Sequence, residues 1–131
     1  MPHSHEIPEE LKNFIISHFD SVGTIEVLLL LKNRPEGLWT VESVSQELRS
    51  NVSLIERQLQ FLSDSALLSK EERGGKVFFQ YAPREAELGQ MIDALAIQFT
   101  TRRVSVINLL YEAKSVDPIQ KFSAAFKVRK D

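Results

Sequence analysis

The spacing of apolar residues changes along the chain, and each change marks an element. Leu11, Phe14, Ile15 and Phe19 fall on one side of a helix. Pro8 at its first position, followed by Glu9 and Glu10, starts it. Asp20 or Ser21 caps a second helix over about Val22 to Lys32. Its centre, Ile25 to Leu31, is apolar nearly all round, so it must be covered on more than one side. Thr40 caps a third helix, about Val41 to Arg49, with Val44 and Leu48 facing inward. Ser50-Asn51-Val52 makes a turn. Ser53 then opens a fourth helix reaching about Ala66. Its Ser-Leu-Ile-Glu start reads as a capping box in which Glu56 reaches back to the Ser53 amide. Ile55, Leu59 and Leu62 form the buried stripe at i, i+4, i+7, with Phe61 beside it.

The period then switches to two. Leu67 to Glu72 and Lys76 to Tyr81 read as strands, with Val77, Phe79 and Tyr81 alternating with Phe78 and Gln80. Gly74-Gly75 between them suits a type I′ turn, whose two central residues both need positive φ. Leu38 and Trp39 form a short flanking strand. From Arg84 to Ala113 the pattern is helical again, through Leu88, Ile92, Leu95, Phe99, Val106 and Leu110. Unbroken, that helix would be about 45 Å long. It must fold back near Thr100-Thr101 or pack on another chain. Asp117-Pro118 starts a last short helix with Ile119, Phe122, Ala125 and Phe126. The expected fold is mainly α: a winged helix-turn-helix, with a three-helix core plus a β-hairpin wing. An N-terminal helix precedes it and a long C-terminal helical extension follows. Residues 1–83 form the first unit, and residues 84–131 the extension, a candidate dimerisation element.

Composition narrows the function classes. Hydrophobic content of 43% and charged content of 26% are those of an ordinary globular protein. No cysteine is present, which removes disulfides, thiolate metal sites and a cysteine nucleophile. His3, His5 and His18 are too scattered for a metal-ligand set, and no metal or cofactor is expected. The longest apolar run, Val27 to Leu31, is far too short to span a membrane. No signal-peptide pattern is seen, so a cytoplasmic location is expected. A phosphate loop, a nucleophile elbow, an HExxH pair and a carboxylate dyad are all missing, so no enzyme is expected. Charge is uneven. Residues 1–83 hold eight Lys and Arg against twelve Asp and Glu, whereas residues 84–131 hold eight against six.

The run from Ser43 to Arg84 resembles the winged-helix bacterial transcription regulators of the ArsR and MarR kind. The likeness lies in the Leu59, Leu62, Leu67, Leu68 step and in a wing that ends Tyr81-Ala82-Pro83. It covers about a third of the chain. It implies that the Ser53–Ala66 helix lies in the major groove, that the hairpin tracks phosphate, and that the protein pairs as a homodimer through its terminal helices. The chain departs from the pattern in lacking sensor cysteines and in carrying Ala66 where a glycine is usual.

The candidate contacts with double-stranded DNA on the helix are Ser53, Leu54, Arg57, Gln58 and Gln60, read as lying off the buried stripe. Arg and Gln make geometrically good base contacts. Those on the wing are Lys70, Arg73 and Lys76, interleaved with Glu71 and Glu72. Glu56 and Asp64 would oppose phosphates. The acidic balance of residues 1–83 therefore supports an alternative, a protein–protein interaction module that keeps the fold without binding DNA. Arg102-Arg103 reads as a polar stripe or as a contact to DNA or an acidic partner. A small effector between the long helix and the core is also conceivable on this fold, and nothing in the sequence names one.

Overall fold

The computed structural model describes residues 7–115. The helix expected after Pro118 and the residues His3 and His5 lie outside them. Among the described residues the order is α1 (Glu9–His18), α2 (Val22–Asn33), α3 (Val41–Leu48), α4 (Val52–Asp64), β1 (Leu68–Arg73), β2 (Lys76–Tyr81), α5 (Ala86–Thr101) and α6 (Arg103–Ser115). This is a mainly helical chain with one antiparallel hairpin, compatible with a winged helix.

Local chemistry sets most boundaries. Ser21 caps α2 by accepting from the Thr24 amide at 3.2 Å, while the neighbouring Asp20 takes the Thr24 hydroxyl at 2.8 Å. Thr40 and Ser43 form a reciprocal capping box at α3. The box expected at Ser53 is absent. Asn51 caps α4 instead, accepting from the Leu54 amide at 3.1 Å, so the helix begins at Val52 and Ser53 sits inside its first turn. Asn51 is an equally good cap, and it comes first in the chain.

Helix α4 ends in a Schellman motif. The Leu67 amide bonds the Leu62 carbonyl and the Ala66 amide bonds that of Ser63, both at 3.1 Å. Ala66 therefore takes a left-handed φ of 68°, the conformation glycine usually supplies. Arg49, at 53°, does the same at the end of α3.

The core runs through all these elements. Ile25, Val27, Leu28 and Leu31 of α2 are fully buried, packed against α4 and β2. Each contributes about 1.5–3 kcal/mol of gross burial energy before the entropy of ordering is set against it. Leu59, Leu62, Leu67 and Leu68 are all buried, as their spacing requires. Helix α1 crosses α2 at 100° and packs Leu11, Phe14 and Ile15 beneath α5 and α6. No single helix among the described residues is long and apolar enough to cross a membrane.

The hairpin pairs Leu68 with Tyr81 through to Arg73 with Lys76. Gly74 and Gly75 have φ of 57° and 81°, as a type I′ turn demands. Two backbone hydrogen bonds between Trp39 and Phe79, at 2.8 and 2.7 Å, hold the hairpin to the segment before α3. The expected flanking strand is thus a single bridge.

The long C-terminal helix is broken at Arg102. Thr100 and Thr101 each donate a hydroxyl to the carbonyl four residues back, at 2.9 and 2.8 Å, which favours bending. Arg103 then pairs with Glu26 of α2 at 2.7 Å and stands 4.3 Å from the Phe99 ring centroid. Arg103 thus adds one exposed link to α2, while α6 packs mainly on α1 and α5.

Candidate nucleic-acid interface

Helix α4 turns Ile55, Leu59 and Leu62 into the core and leaves Ser53, Leu54 and Arg57 exposed. The side chain of Arg57 has no hydrogen-bond or ion-pair partner among the described residues. Gln58 corrects the sequence reading: it is only 8% exposed and cannot present an amide to a base edge. It lies at the margin of the buried stripe, and α2 comes close enough to cover it because position 23 is glycine. A Cβ on Gly23 would lie 2.8 Å from the Gln58 Nε2.

Gln60 is half-buried and already engaged. Its Nε2 donates to Asp64 at 2.8 Å, and its Oε1 accepts from the Lys70 ammonium. Lys70 also lies 6.0 Å from the Phe79 ring centroid. These contacts fix the hairpin against α4 and occupy two of the candidate donors.

Arg73 is occupied as well. Its Nε and a terminal nitrogen donate to the two Glu71 carboxylate oxygens at 2.8 and 3.1 Å. These hydrogen bonds hold the Glu71 carboxyl below the usual carboxylate range and raise Arg73 above its ordinary value. The pair is exposed, so it adds little to stability, but it engages the guanidinium that a phosphate would need. Lys76 is exposed with no partner among the described residues.

A groove of about 470 Å³ separates the starts of α3 and α4 from the hairpin tip. Thr40, Val41, Glu42, Val52, Glu56 and Lys76 are among its lining residues. Sequence reading missed Glu42 and Val52. Val52 was assigned to a turn, yet it stands 47% exposed on α4. The groove thus sets Lys76 beside two carboxylates and the exposed Val52, while Leu54 and Arg57 line a separate cavity with Asp20 and Ser21.

No family model matches the chain, and no curated protein matches its sequence. Solved structures do resemble it. A "possible transcriptional regulator" from Methanosarcina mazei Go1 superposes with a TM-score of 0.51 at 16% identity, over 72% of this chain and 80% of that one. RV1404 from Mycobacterium tuberculosis superposes with a TM-score of 0.50 at 11% identity, over 93% of this chain and 84% of that one. The likeness is one of fold. It extends beyond α3, α4 and the hairpin, since the second match covers nearly the whole chain.

Proposed function

We propose that the chain is a non-enzymatic winged-helix transcription regulator that docks duplex DNA with α4 and the hairpin and acts as a homodimer. The observation that carries this reading is the pair of unengaged cations, Arg57 on the outward face of α4 and Lys76 on the hairpin. Arg57 reaches a base edge or the adjacent phosphate, with Ser53 and Leu54 beside it. Lys76 contacts the backbone. Dimerisation uses α5 and α6, where Ile97 and Val104, one on each side of the Arg102 break, stand 62% and 67% exposed. Two-fold pairing gives each protomer one half-site. The fold shared with a possible transcriptional regulator supports the reading.

Fluorescence anisotropy with genomic fragments from the source organism tests it. Salt-sensitive binding is expected, and Arg57→Ala should cost about 1–3 kcal/mol on the preferred fragment. Binding unchanged by Arg57→Ala would remove the proposal.

A second reading is favoured by Glu42 and Glu56 in the groove, next to Val41 and Val52. Carboxylates and aliphatics together suit a basic, apolar peptide better than phosphate. Glu56→Lys separates the two: it strengthens DNA binding in the first reading and abolishes partner binding in the second.

A further inference from the structure

Leu54, Arg57, Gln58 and Phe61 recur at i, i+3, i+4 and i+7 and share one face of α4. That face meets the turn between α1 and α2 at Asp20 and Ser21, and the six residues line an open cavity of about 140 Å³. At about 30 Å³ per water in the liquid, this is the bulk of about five waters, so a ligand held there is small.

Gln58 is the unusual member of the lining. It is 8% exposed, yet its side-chain amide has no hydrogen-bond partner among the described residues. An amide so placed is costly unless something bonds it. Two other unpartnered polar atoms, the Trp39 indole nitrogen and the Gln98 side-chain oxygen, are sealed from the surface. The Gln58 amide is not sealed, and it opens on the cavity.

The charges on the wall are an independent observation. Arg57 has no hydrogen-bond or ion-pair partner among the described residues. Asp20 gives one carboxylate oxygen, Oδ1, to the Thr24 hydroxyl at 2.8 Å and keeps the other. The two side chains come from different elements and line the same cavity without pairing with each other. An anion alone would meet Arg57 and be repelled by Asp20, and a cation alone would meet the reverse. A small ligand carrying both signs satisfies both walls. Leu54, 39% exposed, and Phe61 supply an apolar side.

We propose that this cavity binds a free α-amino acid with a small aliphatic side chain. Its carboxylate accepts from Arg57 and the Gln58 amide, its ammonium donates to Asp20, and its side chain packs on Leu54 and Phe61. The proposal goes beyond the DNA reading and does not need it. If α4 also meets DNA, the amino acid and DNA compete for Arg57, and the ligand acts as a signal that lifts the protein from its site.

Titrating the full-length, 15N-labelled chain with L-alanine, without DNA, tests it. The amides of Asp20, Ser21, Leu54, Arg57 and Gln58 should shift together and saturate. Propionate keeps the carboxylate and lacks the ammonium, and ethylamine does the reverse. Each should bind about ten-fold more weakly or worse, having lost one hydrogen-bonded charge. Gln58→Leu should weaken L-alanine binding to a similar degree while leaving the urea midpoint no lower than that of wild type, because Gln58 bonds nothing among the described residues. Asp20→Asn keeps an acceptor for Thr24, so it should fold and lose the preference for L-alanine over propionate. No saturable shift, shifts confined to other residues, or propionate binding as tightly as L-alanine overturns the proposal. Unchanged L-alanine binding by Gln58→Leu overturns it too. Asp20 and Gln58 are not among the proposed DNA contacts and no DNA is present, so failure here leaves the anisotropy test of Arg57 untouched.

Discussion

Releasing Arg73 from Glu71 should turn a silent cation into a phosphate contact. The perturbation is Glu71→Gln. In the wild-type hairpin Lys70, Arg73 and Lys76 are set against Glu71 and Glu72, a local net of +1. The substitution removes one negative charge and both charged acceptors of the Arg73 guanidinium, which lie at 2.8 and 3.1 Å. Each phosphate neutralised adds about 0.9 to the slope of log K against log salt. Glu71→Gln should therefore steepen that slope by about 0.9 per protomer, or about 1.8 per dimer. Lys76→Ala should flatten it by a similar amount. The hairpin should stay folded in both variants, because its turn rests on Gly74-Gly75 and its anchor on the Trp39–Phe79 bridge. Anisotropy titrations across a salt series measure the slopes, with circular dichroism confirming the fold. An unchanged or shallower slope for Glu71→Gln would refute the reasoning, since the hairpin would then not face phosphate.

Other outcomes follow from single contacts. Burial, aided by the Asp93 charge, pushes the Tyr81 phenol up to about 12. The folded state thus holds its proton more tightly than the unfolded state, whose value is near 10. The stability this confers is intact below about pH 10 and lost as pH rises to about 12. Tyr81→Phe should remove roughly 1 kcal/mol of that alkaline loss, discounted for the partial exposure of the ring, which paired urea titrations at pH 9 and 11.5 would detect. At Ala66 the left-handed backbone costs an L-residue about 1–2 kcal/mol and glycine's unfolded entropy about 0.5–1. Ala66→Gly should therefore gain about 0.5 kcal/mol, and Ala66→Val should lose on the order of 1–2. The reverse order in urea denaturation would contradict the Schellman end of α4. Ile97→Asp with Val104→Asp should convert a dimer of 15.0 kDa chains to monomer in sedimentation, and a wild type that sediments as monomer counts against two-fold pairing.

The sequence was most legible where one local rule sufficed. Gly74-Gly75 defined the turn, Thr40 defined the α3 cap, and the leucine step from Leu59 to Leu68 defined what α4 buries. The sequence reading kept Arg73 as a phosphate contact and missed its pairing with Glu71, although residues two apart on a strand share a side. The start of α4 was misjudged because two good caps lay two residues apart and only the backbone chose between them. Gln58 was beyond local reasoning. Its burial depends on Gly23, 35 positions away, letting two helices approach, and no periodicity within α4 carries that fact. The break at Arg102 was visible in Thr100-Thr101, but the pairing of Arg103 with Glu26 required the fold.

The proposed docking of DNA puts the binding surface on the outward face of α4 and the adjoining hairpin. Amide shift mapping of the 15N-labelled chain, titrated with its preferred duplex, tests this most directly. Changes concentrated at residues 52–57 and 70–77 are the expected result. Changes confined to residues 97–111, or none at saturating duplex, would contradict it.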